Sequence, residues 1–148
     1  MESLELIAQE IAALDRHLSR RTFFAHALFA VAFTPLALNQ NDKEFLGKVA
    51  RTLIPAEALQ QTGIDVAANI EYLLARSSAE HRAKVLRLLV WAKRVSFLYG
   101  GEQIAIRART SRFVLVQKMS KALSALCLVA FWGDERALPL LHSSGGAR

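Results

Sequence analysis

Apolar residues recur along much of this chain at spacings of three and four. In residues 3–18 they fall at Leu4, Ile7, Ile11, Leu14 and Leu18, which is one face of a helix. Glu2 and Glu5 stand at its start, where the helix dipole favours acids. Residues 23–38 form an apolar run interrupted by His26, Thr34 and Pro35. As a helix this run spans about 24 Å, short of the roughly 20 residues that cross a bilayer. Pro35 disrupts it near its end. The polar stretch Asn39-Gln40-Asn41-Asp42 follows, and Asn41 or Asp42 can cap the next helix. That helix carries the stripe Phe45, Leu46, Val49, Leu53 and Ile54, and Pro55 ends it. A loop over 56–63 leads to Ile64-Asp65-Val66, with Asp65 as a cap or turn residue. Ile70, Leu73 and Leu74 define a short helix that stops near Ser77-Ser78.

Ser78 opens a longer helix whose buried side is predicted at Val85, Leu86, Leu89, Val90, Val95 and Leu98. Gly100-Gly101 terminates it, because glycine takes the left-handed cap without steric cost. Residues 102–111 read as a loop or the start of a helix. Ile104 and Ile106 alternate, but no second strand exists to pair with them. The last long helix covers 113–131, with Val116, Met119, Leu123, Leu126, Val129 and Ala130 inward. Trp132-Gly133-Asp134 breaks it, a turn over 135–141 follows, and a Ser-Ser-Gly-Gly tail closes the chain. The pattern predicts a single small all-α domain of five to six helices, with an N-terminal amphipathic plus hydrophobic helix. The division falls at 1–38 and 39–148. No repeat of 20 to 50 residues, no βαβ pattern and no glycine-rich phosphate loop is present.

Composition adds a hydrophobic excess. Of 148 residues, 53% are hydrophobic and 22% charged, and the mean hydropathy is +0.23. Disorder is excluded, since such a chain buries enough apolar surface to offset its entropy. An excess of this kind points to a membrane segment, a targeting segment or a partner surface. The net charge of +6 is concentrated: residues 82–121 hold ten Lys/Arg against one acid, Glu102. A solvated face, or one docking on an acidic partner, is favoured over nucleic acid. No helix-turn-helix spacing, zinc knuckle or RNA-binding aromatic motif accompanies the charge.

Candidate chemistry is sparse. His17, His26, His81 and His142 include no pair at a spacing of three or four, so the pattern predicts no metal site. The single cysteine, Cys127, excludes an intramolecular disulfide and a Cys-x-x-Cys-His haem attachment. Its neighbours Leu126, Leu128 and Val129 make it a small buried apolar residue. Asp134-Glu135 read as turn residues, and Trp91, Phe97 and Tyr99 as packing residues rather than stacking platforms for bases. No catalytic, cofactor-binding or metal residues are predicted, and the chain is not expected to be an enzyme.

Residues Ser19-Arg20-Arg21-Thr22-Phe23-Phe24 resemble the twin-arginine export motif. That motif has Ser-Arg-Arg, any residue, then Phe and a hydrophobe ahead of a modest apolar run. Ala25 stands where lysine is frequent, and the residues before Arg16 are acidic rather than basic. The resemblance makes Ser19, Arg20, Arg21, Phe23 and Phe24 targeting residues and a twin-arginine translocase a partner. The plainer alternative is a helix boundary with two arginines at its junction.

Two further stretches stand out from Asp42 onward. One is Phe45-Leu46-Gly47-Lys48-Val49-Ala50-Arg51-Thr52-Leu53-Ile54-Pro55. The other runs from Ala122 to Phe131 and ends in Trp132-Gly133-Asp134. In these the chain resembles the gluconate 2-dehydrogenase subunit 3 family. A twin-arginine leader is common in that family, and the matches keep its order over about two thirds of the chain. The family's usual Gly-Tyr-x-Gly-Pro tail is replaced here by Leu141-His142-Ser143-Ser144-Gly145-Gly146. The resemblance implies a non-catalytic small subunit that supports folding and export of a large flavoprotein of the glucose-methanol-choline (GMC) type. FAD would belong to that partner, since this chain lacks a Rossmann fingerprint. Some such complexes add a multihaem cytochrome c. The implied location is the periplasm or the periplasmic face of the inner membrane, or the cytoplasm if the arginine pair is only structural. Under this reading the partner interface involves Ile54, Pro55, Trp91, Arg94, Arg107, Arg109, Arg112, Trp132, Gly133 and Asp134. The other class the sequence allows is a stand-alone helical protein that associates with membranes or with other proteins.

Overall fold

The structure, a computed structural model, describes residues 37–143 together with Gln9. The predicted amphipathic helix, the motif at 19–24 and the apolar run up to residue 36 lie outside the described residues, as does the tail from residue 144. Among the described residues the chain is all-helical, with seven α-helices and no strand. They are α1 (Gln40–Leu53), α2 (Ala56–Thr62), α3 (Val66–Arg76), α4 (Ala79–Ser96), α5 (Ile104–Arg107), α6 (Val114–Trp132) and α7 (Leu138–Ser143).

Local chemistry starts each helix. Asn39, rather than Asn41 or Asp42, caps α1: its side chain accepts from the Asp42 N–H at 2.8 Å, and Asp42 Oδ2 accepts from the Asn39 N–H at 3.1 Å. This reciprocal box satisfies two donors that a helix start leaves open. Asp65 caps α3 by accepting from the Ala68 N–H, and Ser78 caps α4 by accepting from the His81 N–H. The expected loop at 56–63 is largely helix α2. Pro55 stands at its N-cap and Gly63, at φ 62°, closes it. Proline lacks the N–H that a helix start would leave unpaired, so it begins this helix as well as ending the previous one.

Helix α6 is the centre of the body and packs against α1, α3, α4 and α5. Met119, Ser120, Ala122, Leu123, Ser124, Leu126, Cys127, Ala130 and Phe131 are all buried. Around it lie Leu46 and Val49 of α1, Ile70 of α3, and Leu88 and Leu89 of α4. Each such side chain contributes about 1.5–3 kcal/mol relative to exposure. Helix α6 is also the one described helix long and apolar enough to cross a membrane, but half of its apolar window is buried inside the body.

Residues 102–111 are two 3-10 turns, Gly101–Gln103 and Ala108–Thr110, flanking the single turn of α5. Ile104, Ala105 and Ala108 are fully buried. Small residues let this segment approach α6, where the Ser120 hydroxyl donates to the Ala105 carbonyl at 2.9 Å. The predicted inward face of α4 holds at Val85, Leu86 and Leu89, whereas Val90 and Val95 are only half-buried and Leu98 is 66% exposed. Leu98 lies past the end of α4, in the 3-10 turn Phe97–Tyr99. The tighter winding there takes it off the face that the 3.6-residue period extrapolates.

Asp42 does more than complete a cap. It is 3% exposed and forms an ion pair with Lys93 of α4. Removing one member of a buried pair strands the other. Lys93 keeps partial solvent access, with its side chain 30% exposed, so Asp42→Ala is expected to cost about 2 kcal/mol, below the 3–5 kcal/mol of fully buried pairs. Asp42→Asn, which retains an acceptor for Asn39, costs less. Urea denaturation checks this, with a lower midpoint and an unchanged slope in both variants.

Candidate interaction surface

The predicted interface residues do not form one surface: Trp132, Gly133 and Asp134 lie at the end of α6, Arg107 and Arg112 between α4 and α6, Ile54 and Pro55 at the close of α1, Trp91 and Arg94 on α4, and Arg109 against α6. Trp132, Gly133 and Asp134 follow α6, and Asp134 is committed internally. Its Oδ2 accepts from Asn69 Nδ2 at 2.8 Å, and the same amide donates to the Ala130 carbonyl at 3.0 Å. Its Oδ1 accepts from the Arg136 backbone N–H and Nε, each at 3.0 Å, and Arg136 Nη2 lies 2.8 Å from Oδ2. Arg136 Nη1 reaches the Gly63 carbonyl at 3.3 Å. One carboxylate thereby ties the end of α6 to α3 and, through Arg136, to the close of α2. Gly133 is required sterically: a Cβ there would stand 2.8 Å from the Val129 carbonyl oxygen. Trp132 stacks edge-on against the buried Phe131 at 5.0 Å and keeps 42% exposure. The Trp-Gly-Asp stretch is thus a structural latch with one accessible aromatic face. Ile54 is 3% exposed and belongs to the core, with only Pro55 of that pair at the surface.

A second surface lies where α4 ends and α6 begins. Tyr99 Oη and Ser111 Oγ are 2.8 Å apart, and Ser111 Oγ also accepts from the Phe113 N–H at 3.2 Å. The buried Ser111 therefore brings the 3-10 turn Phe97–Tyr99 beside the start of α6. Four large apolar side chains sit on those segments: Phe97 is 77% exposed, Leu98 66%, Phe113 62% and Val114 62%. The Arg107 guanidinium lies over this junction. The position of a Cβ on Gly100 lies 2.7 Å from its Nη1, the mobile tip of a long side chain, and it is the φ of 79° that calls for glycine there. Arg112 is exposed between Ser111 and Phe113. Sequence reading named Arg107 and Arg112 but missed Phe97, Leu98, Phe113 and Val114. The sequence pattern gives Leu98 to a buried side and Phe97 to packing and assigns Phe113 and Val114 no role; the signal that marks all four is position at or just beyond a helix end.

The basic stretch is partly consumed by the fold. Arg82 Nε donates to the Leu74 carbonyl at 3.1 Å, at the end of α3. Lys84 pairs with Glu80, and Lys93 pairs with Asp42. Arg109 Nη2 donates to Ser124 Oγ at 3.1 Å, so this predicted interface residue braces α6. Arg94 lies 6.0 Å from the half-buried Trp91 ring, on α4.

Among the described residues, no group of three His, Cys, Asp or Glu side chains stands close enough to hold a metal ion. Cys127 is fully buried, and burial pushes its thiol up to about 12. What the fold and this surface define is a small helical body that presents exposed aromatic and aliphatic side chains beside arginines. No protein-family model, curated protein or solved structure matches the chain. The resemblance carried by residues 45–55 and 122–134 accordingly stands on those residues alone.

Two outcomes are expected. Hydrogen bonds from Arg136 and then Asn69 hold the Asp134 carboxyl well below the usual carboxylate range. A carboxylate with a depressed folded pKa stabilises the fold above its unfolded pKa, about 3.9, and that contribution fades as pH falls toward the folded value. Thermal melts should therefore show Asp134→Asn destabilised at neutral pH, with a shallower loss of stability below about pH 4 than the parent. Cys127 should resist alkylation by iodoacetamide at pH 8 in the folded protein and react fully in denaturant, because the thiolate is the nucleophile. Mass spectrometry reads both states.

Proposed function

We propose that this chain is a non-catalytic small subunit that supports folding, assembly and twin-arginine export of a partner FAD-dependent flavoprotein of the GMC sugar- and alcohol-dehydrogenase type. The observation that carries the reading is the surface at Phe97, Leu98, Phe113 and Val114, with Arg107 lying over Gly100. Exposed aromatic residues beside arginines are what partner-binding surfaces use as anchors. A body of this size gains nothing from holding four such side chains in water. The nature of the partner comes from the resemblance of residues 45–55 and 122–134, and the export route from Ser19-Arg20-Arg21-Thr22-Phe23-Phe24.

In this account the flavin, the substrate and the redox chemistry belong to the partner. This chain covers an apolar area of the flavoprotein until cofactor is loaded, then carries the folded complex across the membrane. The complex acts in the periplasm or on the periplasmic face of the inner membrane, where a multihaem cytochrome c can accept its electrons.

Expression of a GMC-type flavoprotein from the same source, with and without this chain, tests the proposal. The expected result is soluble, FAD-loaded and exported flavoprotein only when the chain is present. The double variant Phe97→Ser with Phe113→Ser should lose that effect while its own melting temperature stays within a few degrees of the parent. Equal yield, FAD content and export without the chain would refute the reading. Extraction with membranes in the absence of any partner would favour the stand-alone membrane-associated alternative.

A further inference from the structure

Helix α6 is more apolar than the body requires, since only half of its apolar window is buried. The buried positions, from Met119 to Phe131, face the core. On the other side Val114, Lys118, Lys121, Ala125, Leu128 and Trp132 recur at spacings of four, three, four, three and four. At 100° per residue these six fall within about 40° of one line along the helix, opposite Leu123 in the buried face. Alternating threes and fours make the seam along which one helix packs on another. Val114 is 62% exposed and Trp132 42%, Lys121 is exposed, and Lys118, Ala125 and Leu128 are half-buried.

Three observations give the chemistry of the occupant. The first is that the seam has a preset anchor at each end. Val114 belongs to the apolar patch with Phe97, Leu98 and Phe113, and Trp132 is held edge-on against the buried Phe131. Gly133 and Asp134 fix the chain just beyond that ring. The two anchors are about 27 Å apart along the helix axis, the reach of a single helix of about 18 residues. The second is the small Ala125 in the middle third of the seam, which lets a second backbone come close. The third is charge. Helix α6 contains no Asp or Glu, and among the described residues neither Lys118 nor Lys121 forms an ion pair. Lysine stems lie along an apolar seam while their amines reach its margin, which is where the flanking positions of a facing helix stand. A second copy of α6 offers those amines no carboxylate.

We infer that the outer face of α6 takes one helix of the partner protein, amphipathic and acidic. Its apolar stripe lies along Val114 to Trp132, and its flanking carboxylates meet Lys118 and Lys121. The apolar contact supplies the affinity, and the lysines select the sign of the charge. This rests on the reading above that a protein docks at the junction of α4 and α6, and it names the kind of segment that does so.

Fluorescence anisotropy on the full chain with three labelled peptides of about 20 residues tests this. The first has Leu at the two seam positions of each heptad and Glu at the flanking ones. The second replaces each Glu by Lys, and the third keeps the Glu and replaces each Leu by Ser. The parent should bind the first about tenfold more tightly than the second, the scale of two exposed ion pairs, and should not bind the third. Lys118→Glu with Lys121→Glu should reverse the preference. Lys48→Glu with Arg76→Glu makes the same change in net charge at exposed positions of α1 and α3 and should leave the preference as it is. Trp132→Ala should weaken the first peptide about tenfold. Thermal melts establish that each variant is folded. No binding of the first peptide, equal affinity for the first two, or a control swap as effective as the lysine swap would overturn the inference. A dimer of the chain alone that Trp132→Ala dissolves would overturn it in favour of a second copy. Binding to phosphatidylglycerol vesicles that the lysine swap abolishes and the first peptide does not displace would overturn it in favour of a lipid surface. Loss of the peptide preference with intact rescue of the flavoprotein removes the acidic helix and leaves the proposed function. Failure of the rescue with the preference intact removes the flavoprotein and leaves the helix.

Discussion

The body depends on the burial of α6. Nine of its positions are buried, and every long helix of the described chain touches it. Two of the nine are serines, and their hydroxyls work inward rather than toward water. Ser120 bonds the Ala105 carbonyl, while Ser124 Oγ lies within 2.8 Å of the Ser120 carbonyl and accepts from Arg109. Those bonds clamp the short α5 segment against α6 and fix where the chain re-enters the helix. Both ends of α6 then acquire distinct roles. Its C-terminal end is latched by Asp134, Asn69 and Arg136. Its N-terminal end is set beside the turn at Phe97–Tyr99 through Ser111.

That asymmetry separates holding the fold from presenting a surface. At the latched end, carboxylate, amide and guanidinium satisfy one another and three backbone carbonyls or amides, so polar chemistry is spent on architecture. At the other end, four large apolar side chains face solvent with Arg107 and Arg112 among them. A patch of this composition is costly in water and is consistent with a body that completes itself on another protein. The basic stretch looks quite different in three dimensions from its linear form. Arg82, Lys84, Lys93 and Arg109 brace the fold, and the cations left near the patch are a minority.

Much of the architecture was legible in the sequence. The helices at 40–53, 66–76, 79–96 and 114–132 follow from spacings of three and four, and Cys127 was correctly placed in the interior. The misreadings have local physical causes. The pattern marks Pro55 only as a stop, although it also starts α2. Residues 102–111 carry no periodicity because they are single turns, held by Ile104, Ala105 and Ala108 in contacts with α6 that no local pattern encodes. The helical period predicts Leu98 inside only if it is extended past the point where the chain tightens into the turn Phe97–Tyr99. The surface was legible only in part. Arginines in a basic run announce themselves, whereas Phe97 and Phe113 look like core residues until the helix ends are known. Ile54 and Asp134 attracted attention through the motifs they sit in, and the structure puts the first in the core and the second in a hydrogen-bond network.

The central claim is that this body works by contact through the junction of α4 and α6. Hydrogen exchange on this chain in complex with the proposed flavoprotein partner tests it most directly. The account predicts new protection over Phe97–Tyr99 and over residues 112–116, with exchange around Asn69 and Asp134 unchanged. Protection confined to the Trp132 end, or none on any described residue of a chain that remains bound, would contradict it.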